Sequence, residues 1–294
     1  MTVDSGNSVY DSRNDCNAII ETASNTLIAG CQNTVIPNSV TVIGEGAFAG
    51  CSSLTEMTVD SGNSVYDSRN DCNAIIETGS NTLIAGCQST VIPNSVTSIC
   101  DYAFCGCESL TSVNIPNSVT TIGEDAFSGC ASLTSVNIPN SVITIGNYAF
   151  YGCTGLTSVN IGNSVTRIGS EAFIDCTSLT SVTCLAVTPP KAAGDCFSSY
   201  PSIYDTATLY VPKESVEAYR TADVWKNFTH IVGIDLEPQP GDVNGDGVVN
   251  ISDINRVIDA IINGDNNKAN DVNGDGSVNV SDINIIVQTI LTSN

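Results

Sequence analysis

The sequence predicts a mostly β chain with short helices. It divides into a solenoid of stacked coils over residues 1–183, a capping region over 184–236, a linker at 237–241 and a small all-α domain over 242–294. Three observations predict this. A motif returns about every 23 residues through most of the chain. An acidic loop of fixed pattern occurs twice in the last fifty or so residues. Between the two lies Leu236-Glu-Pro-Gln-Pro-Gly241, whose prolines and glycine make a short, stiffened connection.

The repeat is explicit. Leu110-Thr-Ser-Val-Asn-Ile-Pro-Asn-Ser-Val119 returns as Leu133 to Val142, and again as Leu156 to Val165 with Gly162 in place of proline. Each copy leads into Thr-Ile-Gly or Arg-Ile-Gly and then Ala-Phe-x-x-Cys. Leu133, Val136 and Ile138 have the alternating spacing of a strand that faces one core. Val142 and Ile145 supply a second short strand, and Ala149, Phe150 and Cys153 close the coil with a helical or 3₁₀ turn. Equivalent residues then stack in ladders: Phe104, Phe127, Phe150 and Phe173 in one, Cys107, Cys130, Cys153 and Cys176 in another. Residues 1–41 and 57–97 form a longer duplication that differs only at Ala23/Gly79 and Asn33/Ser89. Met1 therefore aligns with Met57, in mid-repeat, and the chain is expected to begin inside a structural unit without its native start or a signal peptide.

The ladder settles most of the 13 cysteines. Stacked coils lie about 4.8 Å apart with parallel side chains, whereas a disulfide needs Cβ atoms about 3.8 Å apart and converging. The repeat cysteines are expected to be small buried apolar residues, and a row of thiols offers no tetrahedral metal cluster. Cys16/Cys31 and Cys72/Cys87 flank apolar segments that read as hairpins turning at Ala23-Ser24 and Gly79-Ser80. A two-residue turn would set each pair face to face as a wide, hydrogen-bonded pair, a poor disulfide site, so their redox state stays open.

Beyond Cys184 the pattern fades, and a solenoid must cover its last coil. Ala207 to Pro212 reads as a strand, and Lys213 to Phe228 as an amphipathic helix anchored by Val216, Tyr219, Trp225 and Phe228. Trp225 and His230, the single residues of their types, read as structural.

The chain carries 31 acidic against 9 basic residues, a formal charge of −22. That field repels phosphates and argues against nucleic acids or anionic membranes as partners. No apolar stretch approaches the roughly 20 residues that span a bilayer. The acidic balance favours cations, and the terminal loops show where. The first runs from Asp242 to Asp253 and the second from Asp271 to Asp282. Asp242, Asn244 and Asp246, or Asp271, Asn273 and Asp275, fall at loop positions 1, 3 and 5, with glycine at 6. Position 7, Val248 or Ser277, would ligate through its carbonyl. Asn250 or Asn279 at position 9 would reach through water, and Asp253 or Asp282 at position 12 would bind with both oxygens. Hard oxygens in this order predict two calcium ions. Position 12 is Asp where ordinary EF-hands have Glu, and neither loop-plus-helix unit has an entering helix of its own. Each loop leads into one helix. Its apolar residues, Ile254, Val257, Ile258 and Ile261 in the first and Ile283, Ile286, Val287 and Ile290 in the second, are expected to pair in a small core.

These residues carry two resemblances. The signature Leu-Thr-Ser-Val-x-Ile-Pro-x-Ser-Val-Thr-x-Ile-Gly-x-x-Ala-Phe-x-x-Cys resembles the BspA-like leucine-rich repeats of bacterial surface proteins. That resemblance implies an extracellular or cell-surface leucine-rich-repeat solenoid serving as an adhesin or ligand-binding module. Residues 242–294 resemble a type I dockerin, which implies a calcium-binding domain that attaches its protein to a cohesin-type scaffold. Family partner contacts fall at loop positions 10 and 11, here Ile251-Ser252 and Val280-Ser281, and along the helix. Well-known dockerins often place Ser-Thr there and a basic pair on the helix, where this chain has Ile258-Asp259 and Val287-Gln288; the departure puts binding to a familiar cohesin in doubt.

No catalytic constellation emerges. Glycoside hydrolysis needs two carboxylates facing across a cleft, and Glu124 and Glu171 sit at turn positions that read as surface charges. The expected function is a non-catalytic binding protein whose solenoid recognises a protein or glycan. Ser112, Ser135, Ser158 and Ser181, with Asn114, Asn137 and Asn160, would form its outward rows, or simply keep the sheet solvated. A subunit of a polysaccharide-degrading complex is the alternative, and a cell-envelope spacer the third reading.

Overall fold

A computed structural model describes residues 1–52, 54–198, 202–236, 241–243, 249, 251–265 and 267–292. The expected linker residues 237–240 lie outside these, as do Asn244, Asp246, Val248, Asn250 and the side chain of Ser252.

Stacked coils build two main sheets in which successive coils pair in parallel; the hairpin over 74–86 adds antiparallel strands to the longer one. Ser135–Ile138, Ser158–Ile161 and Ser181–Cys184 pair in register, with Val136 beside Val159 beside Val182. Thr208–Pro212 and His230–Ile234 extend this sheet to five strands. Ser98–Ile99, Thr121–Ile122, Thr144–Ile145, Arg167–Ile168 and Lys191–Ala192 contribute one short strand per coil to an eight-stranded sheet. Strand alternation assigns the faces: Val136 and Ile138 are buried while Ser135 and Asn137 are exposed. The serine and asparagine rows thus lie on the outer side, with Ser158 and Ser181 half-buried.

Each coil turns through its Ala-Phe segment by i→i+3 bonds. The Tyr151 N–H donates to the Tyr148 carbonyl at 2.9 Å, and the Cys153 N–H to that of Phe150 at 3.3 Å. The glycine of the Ile-Gly step is fixed by close approach, since a Cβ on Gly146 would lie 2.5 Å from the Gly123 carbonyl carbon. Inside, the phenylalanines stack nearly parallel at 4.9, 5.1 and 5.2 Å from Phe104 to Phe173. The ladder runs one coil further than expected, to Phe197 at 5.2 Å. Phe197 then meets Trp225 and Phe228 edge-on or tilted, and there the cap closes the core.

All 13 cysteines are free. Those of the ladder are buried, and they also bond: the Cys130, Cys153 and Cys176 thiols donate to the carbonyls of Phe104, Phe127 and Phe150, at 3.3, 3.2 and 3.2 Å. Burial pushes the Cys107 thiol up to about 12. The hairpins correct the expected register. Glu21 pairs with Thr26 and Ile20 with Leu27, but a bulge between Ile19 and Ile20 shifts the ladder by one. Cys31 therefore faces Asn17, whose carbonyl its thiol meets at 3.0 Å, and not Cys16. The second copy repeats the shift between Ile75 and Ile76, and Cys87 bonds to the Asn73 carbonyl.

The cap also departs from expectation. The segment from Lys213 to Phe228 is not one helix: a 3₁₀ turn, Lys213–Ser215, enters the helix Val216–Thr221, and a second turn, Trp225–Asn227, succeeds it. The helix stops at Thr221, since Ala222 is extended and Val224 has φ 71°. The break lets Tyr219 and Trp225 both reach zero exposure, with the Tyr219 hydroxyl donating to the Ala186 carbonyl and Trp225 Nε1 to that of Pro190. The strand His230–Ile234 carries no clear sequence signal, and His230 is exposed on it.

At the carboxy terminus two 13-residue helices, Ile251–Asn263 (α1) and Val280–Thr292 (α2), pack over a small apolar seam. Val243, Val257 and Ile286 are buried there, with Ile254, Ile261, Ile283 and Ile290 partly so.

Candidate metal centre

Each terminal loop runs directly into its helix, and its last acid lies in the first helical turn. The second loop is described throughout. Asp282 reaches back across it: Oδ1 accepts from the Val272 and Asn273 N–H groups at 2.8 and 3.1 Å, and Oδ2 from Asn279 N–H at 2.8 Å. Asp271 accepts from the N–H groups of Asp275 and Gly276 at 3.1 and 2.9 Å. Asn273 Oδ1 takes the Asp275 N–H at 2.9 Å, and Asp275 Oδ1 takes that of Ser277 at 2.9 Å. The backbone thus curls around its own oxygens, with Gly274 and Gly276 at φ 70° and 88° making the bends. The Ser277 carbonyl accepts from Asn279 Nδ2 at 3.1 Å.

In the first loop Asp242, Asp253 and Ile251 are described. Asp253 accepts from the Val243 N–H at 2.8 Å, the counterpart of the Asp282–Val272 bond 29 residues on. Both position-12 aspartates are at zero exposure. No ion pair among the described residues reaches Asp282. Its backbone N–H bonds offset part of the cost of burying this carboxylate, and a bound cation would neutralise the charge that remains. Among the described residues no three His, Cys, Asp or Glu side chains are gathered as a metal site. The fit to calcium rests on the donor set itself, all hard oxygen with a buried acid at its base.

The helices leave apolar residues outside their seam. Ile258, expected in the core, is 38% exposed, and Ile251 and Val280 are 70% and 63% exposed. Ile262 and Leu291, which the sequence reading does not single out, are exposed as well. Their signal was spacing: each lies eleven residues after Ile251 or Val280, on the same helix face.

Residues 24–72 and 82–203 match the BspA type leucine rich repeat region, in six copies. The chain belongs to this family. Residues 240–291 match the Dockerin type I domain, so the BspA-type solenoid is followed by a dockerin. No curated protein matches the chain. Among solved structures, the chain is similar to a leucine rich cell surface protein from Faecalibacterium prausnitzii, with 29% identity and a TM-score of 0.40 over 54% of this chain and 51% of that one. It is also similar to the pneumococcal vaccine antigen PcpA, with 19% identity, a TM-score of 0.47, and coverage of 72% and 57%. A leucine-rich repeat protein from Eubacterium ventriosum gives 22%, 0.43, and coverage of 72% and 62%. The chain thus spans between half and two thirds of the length of these three structures. No helix among the described residues of this BspA-type protein is long and apolar enough to cross a membrane.

Proposed function

We propose that the chain is a non-catalytic extracellular or cell-surface binding protein, whose solenoid recognises a protein or glycan and whose dockerin attaches it to a cohesin-type scaffold. Two calcium ions would be held by Asp242, Asn244, Asp246, Val248, Asn250 and Asp253, and by Asp271, Asn273, Asp275, Ser277, Asn279 and Asp282. Bound calcium supplies the positive charge that neutralises each loop. The chain's own residues do the rest: loop N–H groups orient the carboxylates, and the helices bury Asp253 and Asp282 beneath them.

The observation that carries the reading is Asp282, fully buried and without a cationic side chain to pair with among the described residues. The docking face centres on Ile251, Ser252, Val280 and Ser281, with Ile258, Ile262 and Leu291 continuing it along the helices. Ile251 and Val280 at loop position 10, and Ile258 on the helix, make this face more apolar than a Ser-Thr and basic-pair face, which fits a scaffold module with an apolar face.

Calorimetry of the full chain against a panel of type I cohesin modules tests the docking. Binding of at least one module in calcium, abolished by chelation and by Ile251→Asp with Val280→Asp, is expected. Binding that persists after chelation, or none across the panel, contradicts it.

A further inference from the structure

Only nine lysines and arginines serve a chain of net charge −22. Arg13, Arg69, Lys213, Arg220 and Lys226 each pair with an acid close by. Arg167 and Lys191 do not. They stand opposite each other on adjacent parallel strands, both exposed. Among the described residues neither side chain makes an ion pair or a hydrogen bond. Like charges so placed destabilise a sheet. The ladder does not require them, since the same position one and two coils earlier is Thr144 and Thr121.

The two cations border an open groove of about 530 Å³, lined also by Asn147, Ser170, Ala192 and Ala193. Two acids bond to the groove's own lining and pair with neither cation: Glu124 accepts from Asn147 Nδ2 at 3.1 Å, and Asp195 from Ser170 Oγ at 2.9 Å. An anion entering the groove would meet two free cations.

We propose that this groove binds a saccharide through one acidic group, a carboxylate or a sulfate, held between Arg167 and Lys191. The proposal rests on the reading of the solenoid as a recognition module and names its ligand class. An arginine fork and a lysine point charge suit a planar carboxylate or a sulfate. The acidic chain around them disfavours a polyanion, so the acidic group stands alone on an otherwise neutral sugar chain. The lining offers no exposed large apolar residue as a peptide anchor, for Ile168 is 1% exposed. What remains is small, Asn147, Gly169, Ser170, Ala192 and Ala193, and leaves room for a sugar ring against the two cations.

Calorimetry of the full chain in calcium, at about 0.15 M salt, tests the site with two probes: a xylo-oligosaccharide bearing one glucuronate, and lactose bearing one sulfate. Each is set against its neutral parent. Binding of a charged sugar but not its parent is expected, and which sugar binds identifies the source of the anion. R167Q/K191Q should weaken it about tenfold or more. K213Q/K226Q, which removes the same charge from paired positions, should leave it unchanged. Equal binding of charged and neutral sugars, no binding of either charged sugar, tighter binding of an oligo-aspartate peptide, or full retention by folded R167Q/K191Q overturns the site. If neither charged sugar binds while the parent chain still binds other ligands on glycan or protein arrays, the site fails while the broader recognition function stands.

Discussion

A coil of the solenoid closes over Phe150, at zero exposure and stacked on neighbours 5.1 and 5.2 Å away. The helices of the dockerin meet over a seam where, among the described residues, Val257 and Ile286 are the apolar side chains at zero exposure. Two more fully buried positions there are aspartates, Asp253 and Asp282. One region repeats an apolar layer, and each coil supplies what its neighbour needs. The other puts carboxylates where a core would have apolar groups, and such groups oppose folding until their charge is offset. The same perturbation should therefore affect the two regions differently.

The largest effect is expected from Phe150→Ala. Removing one ring from a continuous stack should lower the solenoid's stability by roughly 3–5 kcal/mol in denaturant unfolding, while calcium affinity stays at the parent value. A loss below about 1 kcal/mol would mean the stack relaxes around the gap, and the contrast with the dockerin would weaken.

A smaller effect separates the regions by pH. The Cys107 thiol is raised from 9.0 to about 12 by burial, with Cys130 and Cys176 raised as well. The folded value lies above the unfolded one. The contribution of these thiols is therefore complete below pH 9 and falls away as pH climbs from there toward 12. The dockerin contains neither cysteine nor tyrosine. Fluorescence of Trp225, in the cap, should report alkaline loosening of the solenoid in that window before the dockerin's helical circular dichroism changes. Simultaneous loss would remove the distinction.

How much is legible in the sequence depends on which forces are local. Loop spacing and the 23-residue period give the ladders, the buried faces and the metal-loop pattern, because each is set by side-chain identity at fixed separations. The near-identical copies at 1–41 and 57–97 mark the limit. Their backbones agree closely, with Asn14 and Asn70 at φ 60° and 59°, yet Tyr10 is 37% exposed and Tyr66 is 6% exposed. The Tyr66 hydroxyl accepts the Ile43 N–H from the preceding unit at 3.1 Å, a contact that depends on stacking rather than on the segment itself. The bulge that separates Cys31 from Cys16 is hidden for a related reason. Strict alternation counts residues, and a bulge adds one without a sequence mark. In the cap, the helical spacing over residues 213–228 is real, but burying both Tyr219 and Trp225 requires breaking the helix at Ala222. Helical spacing assigns Ile258 to the seam because it counts i+3 and i+4 residues alike; the helix pair is narrow and takes Val257 alone.

Hydrogen exchange read by mass spectrometry on the full chain, with calcium and after chelation, tests the contrast most directly. Protection over residues 251–292 should collapse on chelation while amides of the strands from Ser98 to Ile234 keep theirs. Unchanged protection in the two helices without calcium, or loss in both regions together, would contradict the account.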